Sequence, residues 1–191
     1  EYVCILNSDV VVERDFLKKL VGKMSENNKI GIAGSCICDY YKRDIIQGMG
    51  ARINLYFAAA RRNFKGQNYN EIEKKDIFVD YVEGACFLIR REVFKKIGLI
   101  PENYFLFFEE TEFCTKTLKA GYKILSVYSS RVYHKGSSTI NKFGGLSYAY
   151  LNRNRVIFVR RNSKWYQKSI FSLYIFIEAF GRLIIRKEPL S

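Results

Sequence analysis

Three carboxylates, Glu109, Glu110 and Glu112, crowd into four positions directly after the aromatic wall Tyr104-Phe105-Leu106-Phe107-Phe108. On a helix Glu109 and Glu112 share a face while Glu110 points about 100° away, so the three need not do the same work. A carboxylate held against those rings loses water, which raises its pKa and makes it a better base for a hydroxyl proton. The same residues also fit a solvated first helical turn favoured by the helix dipole, with Glu112 pairing Lys116 four residues on. A second group is Asn7-Ser8-Asp9, at the end of an apolar run. A hard divalent cation that bridges phosphates takes oxygen ligands and keeps positions open for substrate, which one Asp with a nearby amide can supply; an Asx turn ahead of a helix uses the same residues. His134 is the single histidine of the chain. It either completes a magnesium or manganese site with Asp9 or is a hydrogen-bonded structural histidine. Lys135, Arg153 and Arg155 are cations that could approach a diphosphate or simply form a solvated basic face.

The elements that must position these groups alternate. Residues 2–6 read as a buried strand ending in the polar trio, and 15–24 as a helix with Phe16, Leu17, Leu20, Val21 and Met24 on its apolar side. Residues 30–33 read as the next strand, and 36–76 as loops and edge strands over a cleft. A strand within 79–90 leads into a helix at 91–97 closed by Gly98, and a helix over 109–120 is closed by Gly121. Strands at 122–127 and 132–134 complete a layered α/β pattern. From Gly145 onward the spacing is helical, and 169–185 is apolar apart from Glu178, Arg182 and small polar residues. That stretch is marginal for spanning a bilayer; it reads as an amphipathic helix on a membrane surface, flanked by Lys168, Arg186 and Lys187, or as an ordinary packing helix.

With 191 residues, 48% of them hydrophobic, the chain can bury one sizeable core. Its five cysteines lack paired metal-type spacing, so a reducing setting fits, and Cys36 and Cys38 read as small residues on one face of a strand. The net charge of +13 calls for polyanionic company, but residues 131–191 hold 12 Lys/Arg against Glu178 and Glu188 alone. A nucleic-acid binder would interleave basic and aromatic residues over its whole surface, so this asymmetry argues against nucleic acid and for phosphorylated substrates or anionic lipid.

The order LNSDV at 6–10, VEGACFLIRREVFKKIG at 82–98, PENYFLFFEETEFCTKTLKAGYKI at 101–124, VYHKGSS at 132–138 and YLNRN at 150–154 closely resembles the family 2 glycosyltransferases, especially the bacterial rhamnosyltransferase-like members. The resemblance implies a GT-A type fold, a mixed sheet flanked by helices. It divides the chain into the metal and acceptor side of a catalytic domain, 1–144, and a basic helical extension, 145–191. It further implies an inverting transfer from a nucleotide-diphosphate sugar to the hydroxyl of a saccharide or lipid-linked saccharide, with Mg2+ or Mn2+, in bacterial cell-surface polysaccharide synthesis at the cytoplasmic side of the plasma membrane. Carried over by position, Asn7 and Asp9 match the family's metal and diphosphate motif, and Gly84-Ala85 the segment lining the sugar pocket. Glu110 matches the base, with Glu109 as rival; His134 matches a metal ligand, and Arg153 a substrate-side arginine. Asn7, Glu112 and Lys116 stand where Asp, Asp and Arg are more usual. The resemblance also implies a preceding nucleotide-binding segment of about 80 residues, so these residues alone are expected to be inactive, or to be a non-catalytic binding module of the same fold.

Overall fold

β1 (Tyr2–Leu6) is an apolar run that pairs antiparallel with β8 (Cys86–Arg90), in a register that sets Leu6 opposite Cys86. This computed structural model describes residues 1–136 and 145–185. The short strand β2 (Val10–Val12) and the helix α1 (Phe16–Glu26) follow the polar trio, and β3 (Ile30–Asp39) then crosses the middle of the sheet. β3 is more than twice as long as the four residues expected. Gly34 and Ser35 break the apolar run in sequence, yet Ser35 is satisfied across the sheet, its hydroxyl 2.9 Å from that of Ser130. Residues 36–76 contain three strands, β4 (Ile46–Gly48) on the edge of β3 and the hairpin β5 (Ala51–Asn54) with β6 (Ala59–Arg62).

The strand expected within 79–90 is β8, and a further short strand, β7 (Ile77–Val79), precedes it. The two strands expected at 122–127 and 132–134 are one, β9 (Lys123–His134). β9 runs parallel to β3, with a register irregularity that takes up Tyr128, Ser129 and Ser130, and it pairs with β7 early and β2 late. The main sheet therefore runs β1-β8-β3-β9-β2, with β4 on β3 and β7 on β9.

Alternation along β8 gives each face its cover. Leu88 packs with Ala33, Leu125 and the α1 residues Leu20 and Met24. Phe87 and Ile89 pack on the other side, against Val93 of α2 (Arg91–Ile97) and Phe113 and Cys114 of α3 (Glu109–Lys119). Each such large side chain contributes about 1.5–3 kcal/mol when fully buried. Both helices stop where expected, at Gly98 and Gly121, whose φ values of 82° and 88° suit a residue without Cβ. Cys36 and Cys38 lie buried in one cluster with Ile46, Met49 and Tyr133, as small core residues.

α4 (Gly145–Asn162) buries Asn154, Phe158, Val159 and Asn162, and Phe158 packs on Phe108 ahead of α3. α5 (Trp165–Ile185) buries Phe171 but exposes Leu173, Phe176, Ile177, Phe180 and Ile184. No helix among the described residues is long and apolar enough to cross a membrane. The expected basic flank Arg186-Lys187 and the pair Ser137-Ser138 lie outside the described residues.

Candidate active site

Strand ends gather the polar groups. β1, β3 and β9 run the same way, since β1 and β3 are each antiparallel to β8 and β3 is parallel to β9. Their carboxyl ends, Leu6, Asp39 and His134, therefore lie at one edge of the sheet, where open α/β sheets bind ligands. The backbone N–H of Asn7 donates to the carbonyl of Ala85 at 3.0 Å, joining the polar trio to the loop before β8.

On that edge Asp9 and His134 meet, with Nε2 of the imidazole 3.2 Å from Oδ2 of the carboxylate. The pairing of β2 with β9, Val10 opposite His134, brings them together. The far nitrogen, Nδ1, lies 3.0 Å from Oε1 of Gln47 on β4. A carboxylate oxygen and an imidazole nitrogen side by side suit Mg2+ or Mn2+, with the remaining positions left for diphosphate and water. Among the described residues no group of three or more His, Cys, Asp or Glu could hold a metal by itself, so Asp9 and His134 would need ligands from a bound substrate.

The second constellation is acidic. Glu110, in the first turn of α3, has its Oε2 out of solvent with no hydrogen-bond partner, and Oε2 of Glu109 is in the same condition. Burial, reinforced by the Glu109 carboxylate, pushes the pKa of Glu110 up to about 8. A methyl placed on Gly84 would touch Oε1 of Glu110 at 3.4 Å, so this glycine and this glutamate face each other. Glu83 joins the group unannounced by the sequence. Its Oε2 accepts from the Gly50 N–H at 3.0 Å and its Oε1 lies 3.9 Å from Nε of Arg62. Burial raises its pKa despite both partners. Gly48 makes this fit: a Cβ there would lie 2.1 Å from Oε1 of Glu83.

A pocket of about 540 Å³ is lined by Glu110, Tyr81, Phe107, Phe108, Ala59, Arg62, Lys65 and Arg155. Phe107 and Phe108 form its wall with φ of 66° and 73°, a left-handed backbone that bulky side chains rarely adopt. The buried amide of Asn154 holds that turn, donating to the carbonyls of Leu106 (2.6 Å) and Phe107 (3.0 Å). Arg155 is anchored by Glu178 at 3.1 Å and by the Phe57 carbonyl.

Two expected site residues are elsewhere. Ala85 is buried among Ile37, Cys86 and Val132, so its side chain faces core and only its backbone takes part. Arg153 is exposed and reaches the carbonyl of Asn103 and Oδ1 of Asn154, because one helical step turns it away from Asn154; the pocket cations are Arg62, Lys65 and Arg155 instead. Glu112 is fully buried and ion-paired to Lys116 at 3.0 Å and Arg161 at 3.4 Å, with the Tyr104 hydroxyl donating to it. Burial works against its charge, yet these partners hold its pKa below the usual range, so it fastens α3 to α4.

The sequence profile described as Glycosyl transferase family 2 matches residues 1–98. The low-salt glycan biosynthesis hexosyltransferase of Haloferax volcanii is 32% identical over 80 residues, 41% of this chain and 26% of that protein. An N-acetylglucosaminyl-diphospho-decaprenol L-rhamnosyltransferase of Mycobacterium tuberculosis is 27% identical over 97 residues, 50% of this chain and 32% of the other. The chain thus spans about a third or less of the length of these relatives. Among solved structures, GalNAc-T7, crystallised with UDP, GalNAc and Mn2+, superposes with a TM-score of 0.54 at 21% identity, over 70% of this chain and 27% of that one. That likeness fixes the fold as GT-A type.

Proposed function

This chain belongs to glycosyl transferase family 2, and from that premise we propose that it is the catalytic-base side of an inverting enzyme that moves a sugar from a nucleotide diphosphate to an acceptor hydroxyl. The observation that carries the reading is Glu110: a desolvated carboxylate with a free oxygen and a pKa near neutrality, lining a pocket. Such a group accepts the hydroxyl proton as the acceptor oxygen bonds to the anomeric carbon and the bond from that carbon to the diphosphate oxygen breaks on the opposite face. Configuration inverts in that single displacement. Glu110 is favoured over Glu109 because it lines the pocket and faces Gly84.

Asp9 and His134 would hold Mg2+ or Mn2+, which when bound supplies positive charge to the departing diphosphate. GalNAc-T7 was crystallised with Mn2+ and a uridine diphosphate, which supports a divalent ion without choosing between the two. The Mycobacterium relative's name specifies a lipid diphosphate acceptor, and Lys65 and Arg62 beside Glu110 are suited to such an anion. The exposed apolar face of α5, on a chain of net charge +13, agrees with work at the inner surface of a plasma membrane in polysaccharide assembly.

The test is Glu110→Gln in the full-length protein, read as nucleoside diphosphate release with a panel of nucleotide sugars. A loss of about 10²- to 10⁴-fold is expected, with Glu109→Gln milder. Wild-type turnover by the Glu110 variant would remove the base assignment.

A further inference from the structure

The nitrogen of His134 that does not face Asp9 is held by a short relay. Nδ1 lies 3.0 Å from Oε1 of Gln47, and Nε2 of Gln47 lies 3.0 Å from Oδ2 of Asp39 and 3.0 Å from the His134 carbonyl. A carboxylate and a carbonyl can only accept, so the amide NH2 of Gln47 must face them both. Its oxygen is thereby turned to Nδ1, and an oxygen so placed requires that Nδ1 carry a proton. Asp39 cannot rotate to release the amide, because its other oxygen accepts from the backbone N–H groups of Tyr41 and Lys42, each at 2.8 Å.

We infer that Asp39 and Gln47 are positioning residues that keep a proton on Nδ1 of His134, so that Nε2, beside Asp9, is the nitrogen that offers its lone pair to the divalent ion of the transfer reaction. This rests on the reading of Asp9 and His134 as metal ligands. Without the lock a neutral imidazole is free to protonate Nε2 and lose its donor pair, and outer partners of this kind sustain metal affinity by about 10- to 100-fold. The sequence hides the relay: Asp39 ends a long strand, Gln47 lies in an irregular stretch, and each is separated from His134 by more than 80 residues.

The experiment uses the protein labelled with 15N-histidine, His134 being assigned by the signal lost in His134→Gln. In the metal-free wild type, Nδ1 is expected to carry a proton even though Nε2 faces the Asp9 carboxylate at 3.2 Å. Gln47→Leu removes the acceptor and is expected to populate the Nε2–H form and to raise the Kd for Mn2+ alone about 10-fold or more, followed by water proton relaxation. Asp39→Asn, which keeps an oxygen for the turn, frees the amide to flip and gives a smaller shift of both readouts, covering the case in which the leucine variant fails to fold. A wild type with a bare Nδ1, or variants that keep the wild-type Nδ1 proton and Kd, overturns the lock. An Nδ1–H wild type whose His134 signal ignores Mn2+ instead overturns the metal reading, and with it the role assigned to the relay.

Discussion

Removing the buried charge of Glu110 should change how stability depends on pH. Its pKa is pushed up to about 8 in the folded protein, by burial first and by Glu109 second, against an ordinary value of 4.5 in the unfolded chain. Between those values the folded protein binds one proton that the unfolded chain has released, so stability falls by about 1.4 kcal/mol for each pH unit of increase. The favourable contribution is complete below the unfolded pKa and is lost once pH passes the folded one. In Glu110→Gln the side chain cannot titrate, and Glu109 loses a charged neighbour. Urea unfolding of wild type and variant at about pH 5 and about pH 8.5 should therefore diverge, the variant gaining about 3–4 kcal/mol on wild type over the interval. Parallel curves for the two proteins would refute the claim that this carboxylate is desolvated, and the argument for its basicity would go with it.

Three other perturbations follow from the site's contacts. Asn154→Leu strands the carbonyls of Leu106 and Phe107, and should lower unfolding free energy by about 1–3 kcal/mol while reducing transfer far more than this loss explains, as measured by denaturation and nucleoside diphosphate release. Gly48→Ala drives a methyl into the Glu83 carboxylate, and should cost about 1–3 kcal/mol in a thermal or urea unfolding assay. Glu112→Gln weakens the tie from α3 to Lys116 and Arg161 and should destabilise by about 1–3 kcal/mol, but without altering the pH profile of turnover.

The features legible in the sequence were those with a local period. β1, α1, α2 and α3 announce themselves by apolar spacing and terminal glycines, and with them came Asp9, Glu109, Glu110 and the pairing of Glu112 with Lys116. Asp9 and His134 could be listed as partners, but only the pairing of β2 with β9 brings them to 3.2 Å, and the sequence assigns residues 10–12 to no element. Arg62, Lys65 and Gln47 were missed because 36–76 is organised by non-local bonds such as the bridge of Ile45 to Asn68, and Glu83 because its partners, the Gly50 N–H and Arg62, lie in that stretch. One signal was present: Glu83 is a lone carboxylate in the run Val82-Glu83-Gly84-Ala85-Cys86, where a charge needs a reason. Arg153 was preferred to Arg155 on the family resemblance, and the sequence does not say which side of α4 faces inward.

The left-handed turn at Phe107 and Phe108 ties the buried carboxylates that follow it to the order in which the chain is made. Each such bulky residue costs of order 1–3 kcal/mol, and the hydrogen bonds that hold the turn come from Asn154, 47 and 48 residues later. A nascent chain emerging from the ribosome can complete every strand of the main sheet while the turn before α3 is still free to relax. The turn that carries Glu110 gains its hydrogen bonds from Asn154 only when α4 has been synthesised and docked, after the surrounding sheet can close.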